Sequence, residues 1–228
     1  SASSIFPLIF PHYADGGGWT TQLVLVNPTD LPINGSIQFF GQMSVAALPE
    51  TISISRRLGL FDYNIPPRSS RRLVTGGQGE NTEAGWILVS PTGGSLAPSG
   101  LTVFSFQRGG ITLSEAGLSA VQRGTAFRLY AESQGNFNGS QPSSVQTGVA
   151  IANLGSDPVT VDFELTTLGG APIGTGSIDI VANAHVAVFL SQIRGLGGLN
   201  ANFRGILRVS TSSSFGISLI GLRARYNE

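Results

Sequence analysis

Short runs of alternating apolar and polar residues dominate the sequence, and they restrict the fold more than any other feature. Runs such as TQLVLVN, TVDFELTT and GILRVS are rich in Val, Ile, Leu, Phe and Thr, and turn-forming residues bound each of them. This pattern is typical of β-strands. The best helix candidate, residues 190–200, contains three glycines and is therefore limited to a turn or two. Many short strands of this kind predict an all-β sandwich or barrel.

The two halves of the chain repeat each other in four blocks. The aligned blocks are 20–40 with 146–165, 63–75 with 178–190, 84–90 with 204–210, and 101–106 with 217–222. Because the blocks keep the same order and the same inward and outward parity, we interpret them as an internal duplication. The sequence therefore predicts two homologous immunoglobulin-like β-sandwich domains in tandem. These domains are expected at residues 1–118 and 124–228, with residues 118–124 as the linker.

Three consecutive glycines, Gly16 to Gly18, precede the first alternating run. A phosphate-binding glycine loop needs the N-terminus of a helix behind it, whose N–H groups point at the anion. Here the residues that follow predict a strand. We therefore interpret the glycines as a turn into that strand.

Several phrases of the sequence resemble a tandem module of large secreted or surface proteins of environmental bacteria. The phrases are FPHYADGGGWTTQLVLVNPTD, IPPRSSRRLVT, SGLTVFSF, GTAFRLYAE and GLRARYNE, which together span nearly the whole chain. In that family the module lies near the C-terminus, behind other immunoglobulin-like or repeat domains. The resemblance implies an extracellular or cell-surface location, within a longer protein. It also implies that the partners are other domains of the same parent protein or neighbouring subunits, and it carries over no catalytic residue.

Charge and composition narrow the classes of partner. The chain has 13 basic and 13 acidic residues, so neither nucleic acid nor an anionic membrane is favoured as a partner. It has no cysteine, which removes disulfides and thiolate metal sites. No apolar run approaches the ~20 residues that are needed to span a bilayer. We expect no nucleic acid and no membrane span.

No arrangement of titratable residues in the sequence indicates an enzyme. The pairs of residues that could carry acid–base or metal chemistry are His12 with His185, Glu80 with Glu83, and Asp162 with Glu164. The histidines fall in different halves and lack the spacing of a metal site. The first glutamate pair offers oxygen ligands for Ca²⁺, but a solvated loop is the favoured interpretation. The third pair alternates along one strand, so both carboxylates should face solvent. We expect no catalytic residue, no metal and no cofactor.

Arginine and aromatic residues are the best candidates for a binding surface. Five of the 13 arginines lie within 17 residues, namely Arg56, Arg57, Arg68, Arg71 and Arg72. Arg68 and Arg72 share a parity that places them on one face of a predicted strand. That face is either a patch for an acidic glycan or a partner protein, or a soluble sheet face protected by charge; the second interpretation is favoured. Trp19 lies beside the glycines, and it would form a sugar-stacking platform if exposed, as would Tyr13 or Tyr130.

The sequence favours a non-enzymatic structural or adhesive module of a secreted or cell-surface protein. A carbohydrate-binding module is one alternative. A subunit of an extracellular filament assembled by β-strand addition is another. The filament alternative rests on the apolar residues 5–10, which predict a first strand that pairs either in its own chain or with a neighbouring subunit. In-chain pairing is favoured because residues 126–132 supply a similar run in the second half.

Overall fold

A computed structural model describes residues 5–41, 60–77, 79–197, 199 and 202–226 of the chain. This part is all-β, as predicted, and contains fifteen strands and one 3₁₀ turn, Leu190–Gln192. No helix within it is long and apolar enough to cross a membrane. The described residues form two compact units, which divide between Gln122 and Arg123. This boundary falls inside the predicted linker.

The first unit contains two four-stranded sheets. Its strands are β1 Leu8–Asp15, β2 Trp19–Val26, β3 Ile33–Gly41, β4 Leu60–Ile65, β5 Ser70–Val74, β6 Glu83–Pro91, β7 Ser99–Arg108 and β8 Ile111–Ser119. One sheet has the order β1-β6-β3-β4, and the other has the order β5-β2-β7-β8. Both contribute to one hydrophobic core, with Ile37 and Ile87 from the first sheet and Leu23 and Leu25 from the second. Two antiparallel sheets around a shared core are characteristic of a β-sandwich.

The second unit has seven strands and a core of its own. Its strands are β9 Ala126–Gln134, β10 Val145–Ala152, β11 Val159–Thr167, β12 Pro172–Ile180, β13 His185–Phe189, β14 Phe203–Thr211 and β15 Ser218–Arg225. They follow the order β12-β11-β14-β9-β10-β13, and β15 also pairs with β10. Strands β9 and β10 pair only at the end of β9 and the start of β10. The sheet therefore turns a corner there and folds over a core that includes Val161, Phe163 and Leu207.

Strands β1 to β7 and β9 to β15 follow the same path through their units. The order β1-β6-β3-β4 corresponds to β9-β14-β11-β12, and β5-β2-β7 corresponds to β13-β10-β15. The registers correspond as well, since Val24 lies opposite Arg72 in one unit and Ala150 lies opposite Ala187 in the other. Strand β8 has no counterpart in the described residues of the second unit.

A buried asparagine ties together the same loops in both units. The side-chain nitrogen of Asn27 lies 2.8–3.0 Å from the carbonyl oxygens of Leu31, Ile65 and Pro66. Its side-chain oxygen accepts a hydrogen bond from the N–H of Thr29. Each contact recurs around Asn153 in the second unit. The matching partners are the carbonyls of Asp157, Ile180 and Val181 and the N–H of Gly155.

A buried threonine joins the first two strands in both units. The hydroxyl of Thr21 donates to the carbonyl of Ala14 and accepts from the N–H of the same residue. Thr147 makes the same two bonds with Glu132. The three glycines before β2 all have positive φ and form a turn there, as predicted. In each unit the threonine thus closes the corner where the chain passes from one sheet to the other.

The last aligned block differs from the sequence alignment by three residues. The register of β7 on β2 and of β15 on β10 places Leu101 over Ile220, whereas the sequence alignment places it over Ile217. Residues 217–220 are all buried. A stretch that is buried on both faces carries no inward and outward alternation by which its register can be recognised.

The expected immunoglobulin-like arrangement is met only by the four central strands. Strands β2 and β5 lie side by side in one sheet and β3 and β6 in the other, like strands B, E, C and F of that fold. Strands β1 and β7, however, lie beside β6 and β2, so the first and last strands occupy opposite sheets from strands A and G. In the first unit the glycine turn carries the chain from the first sheet directly into the second, and in the second unit residues 135–144 make the same crossing between β9 and β10.

The N-terminal strand β1 pairs within its own chain. It runs antiparallel to β6 from Leu8 to Asp15, with a bulge between Phe10 and Tyr13. Its six central residues, 9–14, are buried, whereas Ile5 and Phe6 at the start of the apolar run are exposed. In this structure the strand takes the favoured in-chain pairing.

Candidate functional site

The aromatic residues proposed as a sugar platform have different environments. Tyr13 has no exposed surface and packs edge-on against Phe39, so its ring is not available to stack against a sugar. The expectation for Tyr13 was wrong because the bulge in β1 turns this side chain into the core. Trp19 is half-buried, and its ring lies tilted against Phe106 with 5.1 Å between the centroids. Tyr130 is 51% exposed on β9.

The two arginines predicted on one strand face do not share a strand. Arg68 precedes β5 and has a φ of +53°, so it lies in the turn after Pro66 and Pro67. Its Nε donates to Asp30 at 2.6 Å, and since both side chains are about three-quarters exposed, the pair contributes at most about 1 kcal/mol. Arg72 is exposed on β5. The predicted patch is therefore divided, and its further members Arg56 and Arg57 lie outside the described residues.

The two histidines belong to different units, and each is buried in its own. His12 lies in β1 and is 8% exposed, while His185 begins β13 and is fully buried. The described residues contain no group of three or more His, Asp or Glu side chains that could hold a metal ion. Burial lowers the pKa of His12 from 6.5 to about 4. His12 is therefore a neutral core residue at pH 7.

Acidification should destabilise the chain through His12. Because its folded pKa lies below the unfolded value, the unfolded state binds more protons between about pH 4 and pH 6.5, and stability falls as the pH drops through this window. The full loss is about 3 kcal/mol. In His12→Phe, which cannot titrate, urea unfolding at pH 7, 5.5 and 4.5 should show a shallower loss. An equal loss in variant and wild type would contradict this assignment.

A concave surface of the second unit lies on the solvent-facing side of β11, β12 and β14. This outer groove has a volume of about 550 Å³. Its polar side chains are Asp162, Glu164, Thr175, Ser177, Arg194, Arg208 and Ser210. Alternation along β11 places the two carboxylates here, because Val161, Phe163 and Leu165 take the buried positions. The expectation that both carboxylates face solvent is confirmed.

The charged residues of the outer groove are only partly paired with each other. Arg208 on β14 lies directly across from Glu164 and donates to it at 2.8 Å. Arg194 enters from the loop after the 3₁₀ turn, where its carbonyl accepts the N–H of Ser177 at the edge of β12. Among the described residues, neither Asp162 nor Arg194 forms an ion pair within 4 Å. The groove thus offers one carboxylate and one guanidinium to a ligand, together with several hydroxyl groups.

Tyr130 lies on the same outer face, one strand beyond the groove. It pairs with Ile206 of β14, two residues from the position of Arg208. Its hydroxyl donates to Glu132 at 3.2 Å. Arg223 also donates to this glutamate, and this hydrogen bond is the main reason why the pKa of Glu132 is lowered. The ring of Tyr130 is therefore exposed while its hydroxyl is held.

The equivalent face of the first unit has a groove of about 500 Å³ beside Asp62 and Arg71, but at the described positions it lacks the charges that the second unit carries on β11 and β14. Registers place Ser36 and Gln38 of β3 where the second unit has Asp162 and Glu164, and Leu88 of β6 where it has Arg208. The charges are therefore not required by the strand framework, since the first unit builds it without them.

The sequence contained one usable signal for this site, the alternation of Asp162 and Glu164. The sequence gives no sign that Arg194 and Arg208 lie beside these carboxylates, because 30 or more residues separate them along the chain. The register between β11 and β14 brings Arg208 to the carboxylates, and the bridge from Arg194 to Ser177 brings Arg194 there. No family model matches the chain, and no curated protein matches its sequence.

Proposed function

We propose that the chain is a non-enzymatic structural and adhesive module of a secreted or cell-surface protein, formed by two homologous β-sandwich domains in tandem. The observation that carries this proposal is the recurrence of one hydrogen-bonded framework, centred on Asn27 and Asn153, under two surfaces of different chemistry. A duplicated scaffold whose copies differ on the outside is expected when one copy has acquired a binding surface. The resemblance to modules of large secreted bacterial proteins supports the extracellular location.

Carbohydrate binding is the adhesive function that we favour, with the outer groove as the site. Saccharides present many hydroxyl groups, which bind well to carboxylate acceptors and guanidinium donors. An exposed aromatic ring beside such groups adds a stacking surface for the apolar face of a sugar. Asp162, Arg194 and Tyr130 supply these three elements on one face of the second unit. Trp19, which the sequence suggested as a sugar-stacking residue, lies in the first unit and is not part of this groove.

A glycan array probed with the full chain tests this proposal. We expect binding to a limited set of saccharides, and loss of about tenfold or more in affinity in the double variant Asp162→Ser, Glu164→Gln, because each charge-assisted hydrogen bond contributes about 1.5–3 kcal/mol. The serine and glutamine that are introduced are the residues found at the equivalent positions of the first unit, Ser36 and Gln38, so the fold should be retained. Glu115→Gln, on the exposed strand β8, is the matched control.

Two outcomes of the array experiment would refute saccharide binding at the groove. One is a wild-type chain that retains no saccharide. The other is a double variant that binds as well as Glu115→Gln does.

The filament alternative receives less support than adhesion. Donation of the N-terminal strand to a neighbouring subunit would require β1 to leave β6, and with it the buried side chains of Phe10 and Tyr13. Exposing two such aromatic side chains costs about 3 kcal/mol or more. We therefore propose neighbouring domains of the parent protein, rather than exchanged strands, as the partners of the chain.

A further inference from the structure

The first unit contains an aromatic cleft that the proposed saccharide site does not involve. It has a volume of about 280 Å³ and lies at one end of the sandwich. Its lining includes the aromatic residues Tyr13, Phe39 and Phe61 and the aliphatic residues Leu73 and Val74. Ligand pockets usually measure about 300–1,000 Å³, so this cleft has room for a small ligand only.

Two carboxylates meet at this end of the β1–β6 pair. Asp15, which lines the cleft, lies directly opposite Glu83 in the register. Like charges directly opposite each other destabilise a sheet. The N–H of Gly77 donates to one oxygen of Asp15 at 2.9 Å, but no cationic side chain of the described residues forms an ion pair with either carboxylate. Within the described residues the negative charge is thus left without an ion-pair partner.

The strand framework does not require this arrangement of charges. In the second unit the equivalent pair on β9 and β14 is Ser133 opposite Phe203. The residue equivalent to Tyr13 is Ala131, which lies opposite Gly205 as Tyr13 lies opposite Gly85. The carboxylate pair and the tyrosine therefore belong specifically to the first unit.

The hydroxyl of Tyr13 is a further polar group beside the two carboxylates. The side chain is fully buried, and its oxygen has no hydrogen-bond partner among the described residues. Leaving a buried hydroxyl unsatisfied costs about 1–3 kcal/mol. Burial raises the pKa of this phenol, and Glu83 and Asp15 raise it further. The two carboxylates therefore lie close enough to the hydroxyl to act on it electrostatically.

We propose that the aromatic cleft binds a small primary ammonium ion, whose N–H groups donate to Asp15, Glu83 and the hydroxyl of Tyr13. An ammonium group has three donors, which matches these three acceptors. Aromatic faces attract a cation through their quadrupole, and Phe39 and Phe61 also cover the alkyl part of the ligand. A hard metal ion fits less well, because Ca²⁺ takes six to eight oxygen ligands and most of the lining is hydrocarbon.

Titration calorimetry of the full chain with n-butylammonium chloride tests the proposal. The neutral probe n-butanol has nearly the same size, and sodium chloride controls for ionic strength. We expect saturable binding of the ammonium ion and none of the alcohol. An alcohol that binds as tightly as the ammonium ion, or an ammonium ion that gives no saturable heat, would overturn the proposal.

Three variants locate the binding site. Asp15→Asn keeps an oxygen for the N–H of Gly77 but removes the charge, and it should weaken binding at least tenfold. Glu83→Gln should also weaken binding. Because Glu83 is exposed, this variant can replace Asp15→Asn if Asp15→Asn folds poorly. Phe61→Leu should weaken binding about two- to fivefold, through loss of the cation–π contact. Glu115→Gln should bind like the wild type, and unchanged affinity in both carboxylate variants would refute the site.

Discussion

Replacing Asn153 by alanine is expected to lower the free energy of unfolding of the second unit by about 3 kcal/mol, because several backbone groups lose their hydrogen-bond partner. Each such group that water does not reach costs about 1–3 kcal/mol. Those groups are the carbonyls of Asp157, Ile180 and Val181 and the N–H of Gly155. Asn27→Ala should have an effect of similar size on the first unit, since Asn27 makes the equivalent contacts. Urea unfolding at pH 7 measures both effects.

Asn64→Ala is the matched control for the asparagine variants. Asn64 is exposed, and its amide donates to the side chain of Asn34, so its loss should cost less than about 0.5 kcal/mol. A small effect of Asn27→Ala beside a large effect of Asn153→Ala would contradict the equivalence of the two frameworks. Equal and small effects of all three variants would contradict the role of the buried asparagines.

Replacing Gly85 by alanine is expected to cost about 3 kcal/mol, at the upper end of the usual range for overpacking a well-packed interior. A Cβ atom at this position would overlap the carbonyl oxygen of Phe40 and the ring of Tyr13. Gly205 has the equivalent position in β14, where a Cβ atom would overlap the carbonyl oxygen of Thr166. Gly205→Ala should therefore destabilise the second unit in the same way.

Gly41→Ala tests whether space or backbone freedom explains these glycines. Gly41 also lies in a strand, and a Cβ atom there meets no atom of the described residues within 4 Å. Its replacement should be neutral or slightly stabilising, because alanine restricts the unfolded chain. Thermal unfolding of the three variants separates the two explanations. If Gly85→Ala and Gly205→Ala unfolded at the same temperature as Gly41→Ala, the predicted close approach would be wrong.

The sequence was sufficient to predict the strands and most of their correspondence. Alternation identified β11, and the four aligned blocks placed Asn27 over Asn153, which the structure shows in equivalent buried positions. Alternation failed where its physical basis was missing. It missed the bulge that buries Tyr13, and it treated Arg68 as part of a strand although two prolines force a turn before it. The first and last strands of each unit occupy the opposite sheets from those of an immunoglobulin fold, and nothing in the sequence of these strands indicates this.

The candidate sites were less predictable because each depends on the register between distant strands. The carboxylates of the outer groove could be assigned to one strand face, but the arginines beside them come from β14 and from the loop after the 3₁₀ turn. Likewise, Asp15 and Glu83 become neighbours only through the β1–β6 pairing. Burial of Tyr13 and His12 was equally hidden, since polar side chains in apolar runs give no sign of which face they take.

Hydrogen exchange of single backbone amides in the full chain tests the central claim most directly, that one framework occurs twice. In the first unit the N–H of Asn27 donates to the carbonyl of Ser69, and the N–H of Arg68 donates to the carbonyl of Thr29. In the second unit the N–H of Asn153 donates to the carbonyl of Ala184, and the N–H of Asn183 donates to the carbonyl of Gly155. The account predicts that Asn27 and Asn153 exchange slowly and to a comparable degree, and that Arg68 and Asn183 also match each other. Slow exchange in one unit, with exchange at the rate of an unstructured peptide at the equivalent amides of the other, would contradict it.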